Sequence, residues 1–298
     1  MDSKFLDFSP SLLKAVNSAL DPTCAPSEVL AHAHSLSITR EDMLRLRDLD
    51  VKDAPTNNTW LNCNLMSFYC GSINTLYKPA MSASASAAAK TPNVHVCSTT
   101  FFNKVTENTL SPLIKSEFIH LDVEPAVCGG ETDTTPRVVL ERGYNYDNVR
   151  NWISKLGYDV SLMECVLFPL HLHTTHWACA VLWPRRRKYA YIDSWPGVAT
   201  SDQADVYMTI LKRWYLDEYN DKHPEAAAAL TAADMAAWKR VTPSIMPLQT
   251  NCDDCGIFTL MAIEWVAAGL EHHLTYTQAD MPTLRRYIAA CILQDEII

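Results

Sequence analysis

The sequence predicts an α+β fold, a short central sheet with helices before and after it, and three observations carry that reading. Three β-rich runs stand close together at residues 166–172, 177–183 and 189–194, rich in Val, Leu, Trp and Tyr. Helical spacing of apolar residues dominates the first half of the chain and returns after residue 205. A run from Ile257 to Ala268 carries one charge, Glu264, and closes on Gly269, which makes it a helix apolar on all sides and therefore buried. Strands in one block and helices in others give α+β rather than alternating α/β.

From the N-terminus, residues 9–16 have the start signals of a short amphipathic helix, and a second helix is expected from Ser27 through Glu28, Val29 and Leu30 after Pro22 and Pro26. These first 36 residues read as an N-terminal extension, with the main domain running from 37 to 298. Thr39 with Asp42 three residues on resembles a capping box and starts a helix. Leu61, Leu65 and Phe68 form a helical stripe behind Asn and Thr caps, with Trp60 at its entrance. The Ala/Ser-rich stretch 80–91 and the segment 124–138, with Gly129 and Gly130, read as surface loops. Between them, 94–97 is strand-like and 101–105 helix-like, and residues 148–153 lead into a further helix. The turn 184–188 folds the second and third β runs into an antiparallel hairpin. Amphipathic helices are expected over 205–219 and 225–240.

With 298 residues, 48% of them hydrophobic, the chain can bury a large core. No run is long enough to span a membrane, and Met1 is not followed by a signal-peptide core. Ten sparse, irregularly spaced cysteines suit a reducing compartment, nucleus or cytoplasm, better than a disulfide scaffold. A net charge of −9 argues against a nucleic-acid binder and suits a partner with a basic face.

Cys255 stands at the mouth of the apolar helix, where unpaired N–H groups and the positive dipole end favour a thiolate. A cysteine nucleophile needs a base and a group that orients the base. His176 opens one strand of the hairpin and Asp193 closes the next, so strands about 4.8 Å apart can bring the two together. Gln249, six residues before Cys255, can donate its amide to an oxyanion.

These residues resemble the SUMO-specific, or sentrin, cysteine proteases. The resemblance is carried by Trp60-Leu61-Asn62, Pro169-Leu170-His171-Leu172 with His176-Trp177, Tyr191-Ile192-Asp193-Ser194, Gln249-Thr250-Asn251 with Asp254-Cys255-Gly256, and Met281-Pro282. It spans about residues 38–298, with seventeen residues from His176 to Asp193 and six from Gln249 to Cys255. The order His, Asp, Cys differs from that of papain, where the cysteine comes first. The resemblance implies a papain-like protease domain over 37–298 that cleaves after the Gly-Gly end of a ubiquitin-like modifier, SUMO first, acting as a monomer without a cofactor. It implies Cys255 as nucleophile, His176 as base, Asp193 as its orienter and Gln249 as oxyanion donor. Trp60 and Trp177 would roof a slot for the diglycine tail, and Asn62 and Cys63 would belong to the substrate surface. The family has aspartate where this chain has Cys63, which leaves open a different modifier, such as the neddylation modifier or ubiquitin.

Other readings use the same residues. His171, His173 and His176 could hold zinc, but no carboxylate or cysteine accompanies them at ligand spacing. Cys252-Asp253-Asp254-Cys255 has thioredoxin-like spacing without a βαβ unit leading into it. Cys255 could also be a plain core thiol, or the chain a non-catalytic module that binds a ubiquitin-like partner.

Overall fold

Ser9 accepts a hydrogen bond from the Leu12 amide at 3.2 Å and Pro10 fills the first helical position, so helix α1 (Pro10–Ala19) begins on a favourable cap. The structure is a computed structural model describing residues 8–48, 59–78, 93–106, 144–195, 201–226, 228–242 and 246–298. Val16 and Ala19 of α1 are buried in the main core, against the chain's last helix.

The helix expected from Ser27 is instead strand β1 (Val29–Ala33), antiparallel to β2 (Leu36–Thr39). His34 and Ser35 turn the chain at left-handed φ of 53° and 61°, and pairing with β2, whose Ile38 is fully buried, outweighs the local helix cap. The boundary expected between residues 36 and 37 runs through this hairpin. Residues 8–36 thus pack on the same core as α3 and the two C-terminal helices described below.

Thr39 does form a capping box with Asp42, starting α2 (Arg40–Met43). Asn62 caps α3 (Cys63–Leu76), whose Leu65 and Phe68 are buried. Strand β3 (Val94–Val96) and α4 (Phe101–Val105) come next. The stretches 80–91 and 124–138 lie outside the described residues. The helix expected from 148–153 is replaced by short 3₁₀ turns at Tyr146–Asn148 and Ser154–Leu156. Asn145 accepts from the Asp147 amide and Asn148 donates to the Lys104 carbonyl, so their side chains compete with a helical ladder.

Strands β4 (Cys165–Leu172), β5 (His176–Trp183) and β6 (Lys188–Ile192) form the antiparallel centre expected of the three β runs. β3 adds in parallel to β4 on one side. On the other side, β7 (Lys239–Arg240) adds in parallel to β6. β7 replaces the end of the helix expected over 225–240. A capping box of Thr231 and Asp234 starts only the short α6 (Ala232–Ala236), and bonds from Lys239 N to Arg187 O and from Val241 N to Tyr189 O then draw the chain into the sheet. The preceding helix, expected over 205–219, is part of α5 (Ser201–Lys222).

Period-two alternation divides the sheet between two cores. Val166, Phe168, Leu170, Ala178, Ala180 and Leu182 face α5, while Leu167, Trp177, Cys179, Val181 and Ile192 face α7 (Cys255–Ala267). α7 is buried almost throughout, as its composition requires. It ends in a Schellman motif: Gly269, at φ 77°, donates to Val266 O and Leu270 to Trp265 O. Its one charge, Glu264, receives the hydroxyls of Tyr69 and of Tyr287 on α8 (Met281–Gln294). Burial raises that carboxyl above its ordinary value.

Candidate active site

Cys255 is the first residue of α7 and is 3% exposed. Gly256 lets the helix mouth approach α3's leading segment, since a Cβ there would lie 2.8 Å from the Leu61 Cβ. Leu61 in turn accepts a bond from Trp177 Nε1 at 2.9 Å. One close approach thereby ties the nucleophile helix, the Trp60–Leu61 segment and β5 together.

His176 is the first residue of β5, and Asp193 comes directly after the last residue of β6. Because Cys179 pairs with Ile192, extending the register sets Asp193 opposite Ala178. His176 and Asp193 are therefore diagonal neighbours on one face, within reach of each other. Imidazole Nε2 lies 2.7 Å from Asp193 Oδ1, and both residues are 4% exposed. The carboxylate is fixed from other sides by the Tyr191 hydroxyl, donating to Oδ2 at 2.8 Å, and the Trp195 amide, donating to Oδ1 at 2.8 Å. Burial works against a charged imidazole here. Hydrogen bonds and charges from Asp193 and from Cys255 outweigh it and raise His176 to about 9. With Nε2 committed to Asp193, Nδ1 is the ring nitrogen left for the Cys255 sulfur.

Gln249 joins this end of the sheet through its backbone, whose N–H donates to Ser194 O at 3.0 Å. Its side chain is oriented at both ends: Ser194 Oγ donates to Oε1 at 2.6 Å, and Nε2 donates to Asn251 O at 2.6 Å. Nε2 carries two hydrogens, and among the described residues one bond from it, to Asn251 O, is seen. Sequence reasoning did not reach Tyr191 or Ser194 as supports, although Tyr191 shares Asp193's strand face by simple period-two counting.

The remaining predicted residues differ in what they are free to do. Trp177 is 2% exposed on the α7 face, with His171 stacked on its ring at 4.1 Å. Trp60 is half-buried, and its carbonyl accepts from Arg45. Asn62 has both ends of its amide engaged within the protein, capping Leu65 N at 3.0 Å and donating to Asp42 at 2.6 Å. Cys63 is exposed, with Sγ 4.0 Å from His171 Nδ1. His171 stacks on Trp177 and His176 bonds to Asp193, and among the described residues no three His, Cys, Asp or Glu side chains are grouped to hold a metal ion. Cys252 is an exposed free thiol and Cys255 a buried one.

A thiol at a buried helix mouth, facing an imidazole that a buried carboxylate orients across a sheet edge, defines a thiol-protease site on a papain-like α+β scaffold. The model of the Ulp1 protease family, C-terminal catalytic domain, matches residues 136–296. The chain belongs to that family. Ubiquitin-like-specific protease 1A of Arabidopsis thaliana is 32% identical over 154 residues, covering 51% of this chain and 28% of that protein. Sentrin-specific protease 2 of Mus musculus is 25% identical over 294 residues, covering 98% and 38%. The chain thus spans well under two thirds of these relatives' length. Among solved structures, the C-terminal Ulp1 protease domain in complex with Smt3, the yeast ortholog of SUMO, superposes with a TM-score of 0.64 at 18% identity over 99% of both chains. The Ulp1-like SUMO protease catalytic domain of Chaetomium thermophilum gives 0.59 at 21% identity, over 98% of this chain and 91% of that one. These likenesses show the fold.

Proposed function

We propose that this protein is a thiol protease and isopeptidase that cleaves after the C-terminal Gly-Gly of a ubiquitin-like modifier, SUMO first, in precursors or conjugates. The observation that carries the reading is the buried Cys255–His176–Asp193 set with Gln249 held beside it. The names of the relatives and the Smt3-bound neighbour support the choice of modifier, and the net charge of −9 suits a basic-faced partner.

The geometry supports the following course. His176 holds the proton of Cys255 while the sulfur attacks the carbonyl carbon of the terminal glycine. Gln249 Nε2 donates to the oxyanion that forms. The imidazolium then protonates the leaving amine, and a thioester links the modifier to Cys255. Water, deprotonated by His176, hydrolyses the thioester, releasing the modifier's carboxylate and the thiol. No cofactor is needed at any step.

Free thiols at the nine described cysteines support a reducing compartment, nucleus or cytoplasm, which imaging of a fluorescent fusion would check. The activity is tested with SUMO, the neddylation modifier and ubiquitin, each carrying an electrophilic tail. The expected result is an adduct on Cys255 with the SUMO probe. An adduct with another modifier alone would replace SUMO as substrate, and no adduct with any would leave a binding module.

A further inference from the structure

The loop that delivers Gln249 and Cys255 is anchored from outside the catalytic set. Arg285 of α8 is 2% exposed and sets two donors on Asp254 Oδ1, Nε at 2.9 Å and Nη2 at 2.5 Å. Its Nη1 donates to the Arg45 carbonyl at 2.7 Å, and Nη2 also reaches Asp253 O at 3.3 Å. The other carboxylate oxygen of Asp254 accepts from Asn251 Nδ2 at 2.7 Å and from Gln278 Nε2 at 2.6 Å. Gln278 Oε1 takes the Thr250 amide at 2.8 Å, and Asn251 O takes Gln249 Nε2 at 2.6 Å.

Three hydrogen bonds therefore lead from Arg285 through Asp254 and Asn251 to the oxyanion donor. Asp254 is also the covalent neighbour of Cys255 and the cap position of its helix. The sulfur that attacks a carbonyl carbon and the amide that receives its oxygen both hang on one buried carboxylate. A buried charged network with its donors and acceptors used is rigid, and such rigidity is what a preorganised oxyanion pocket requires.

We propose that Arg285 and Gln278 are positioning residues, which fix Gln249 relative to Cys255 through Asp254 without touching the substrate or the thiol. The inference rests on the protease reading above. Its signature is a split between two reactions of the same cysteine. Alkylation by iodoacetamide needs only the Cys255 sulfur with His176 as its base, whereas hydrolysis also needs the oxyanion donor.

Gln278 lies on the short 3₁₀ segment Gln278–Asp280 and is half-buried, so Gln278→Ala should fold. With SUMO bearing a C-terminal coumarin amide, Gln278→Ala should lower kcat about tenfold with KM within about twofold, since small misplacements of reacting groups are costly. Its rate of Cys255 alkylation should stay within about twofold of wild type, because His176 and Asp193 are untouched. Arg285→Met should lower kcat about 10²-fold, and Arg285→Lys should recover part of that by keeping the charge. The proposal is overturned if Gln278→Ala keeps kcat within twofold, or if kcat and alkylation fall together with the melting temperature. If the wild type shows neither turnover nor alkylation of Cys255 faster than a free cysteine, the protease reading itself falls.

Discussion

Two histidines of one sheet are almost equally buried, His176 at 4% exposure and His95 at 7%, yet their chemistry diverges. His95, on edge strand β3, rests its ring edge-on against Tyr158, and its Nδ1 has no hydrogen-bond partner among the described residues. Burial alone acts on it and lowers it to about 4. Burial acts in the same direction on His176, but Asp193 and Cys255 outweigh it and hold that ring near 9. The cysteines beside His95 feel the same burial. Cys70 and Cys97 line a cleft of about 480 Å³ with His95, and desolvation pushes the Cys70 thiol up to about 12 and raises Cys97 well above its ordinary value. Cysteine and histidine sharing a cleft are thus inert, and a carboxylate and a helix mouth make the difference.

The sharpest break between the two regions should come from deletion of the nucleophile. Cys255→Ser and His176→Ala should each cost about 10⁴-fold or more in turnover, and nearly equally, because residues that act as a unit are not additive. Cys70→Ala should leave turnover within about twofold, as it belongs to no catalytic pair. Hydrolysis of a modifier's C-terminal amide measures all three, and comparable losses for Cys70→Ala and Cys255→Ser would erase the contrast.

Asp193→Asn removes the carboxylate that separates His176 from His95. Turnover should fall about 10²-fold, and the alkaline limb of the pH–rate profile, near pH 9 in the wild type, should move down in pH. Stability responds to pH with opposite signs at the two sites. The raised value of His176 gives a contribution that is full below about 6.5 and lost as pH rises toward 9. The lowered value of His95 gives one that is present above about 6.5 and lost as pH falls toward 4. Melting curves across pH should show both flanks, and Asp193→Asn should flatten only the alkaline one.

The smallest effect concerns specificity. Cys63 is exposed at the start of α3 and cannot pair with an arginine as a carboxylate would. Cys63→Asp should tighten binding of basic-faced SUMO by about 1.5–3 kcal/mol if a charge-assisted bond forms. Weaker SUMO binding, together with a wild-type preference for another modifier, would turn the specificity reading away from SUMO. Calorimetry on the inactive Cys255→Ser background would report either result.

Much of the site is legible in the sequence because spacing encodes it. A hairpin must bring His176 near Asp193, and an apolar helix must begin near Cys255. The clamp of Arg285 on Asp254 is not legible, since thirty-one residues separate them and no periodic signal links a buried arginine to a loop. The bond from Asn62 to Asp42 across twenty residues is likewise a contact only folding reveals, while its cap on Leu65 N is local and readable from the sequence. Two of the three fold errors share one cause. Ser27 and Glu225 offer local helix starts, but pairing with β2 and β6 decides those segments instead. Where local and tertiary preferences agree, as at Thr39, Asn62 and Gly269, the expected boundaries stand in place.

An NMR titration of the histidine ring carbons tests the central contrast most directly, with both rings assigned in one sample of the wild-type protein. The account predicts that His176 remains protonated to about pH 9 while His95 stays neutral down to about pH 4. His176 titrating at or below 6.5, or the two rings titrating together, would contradict it.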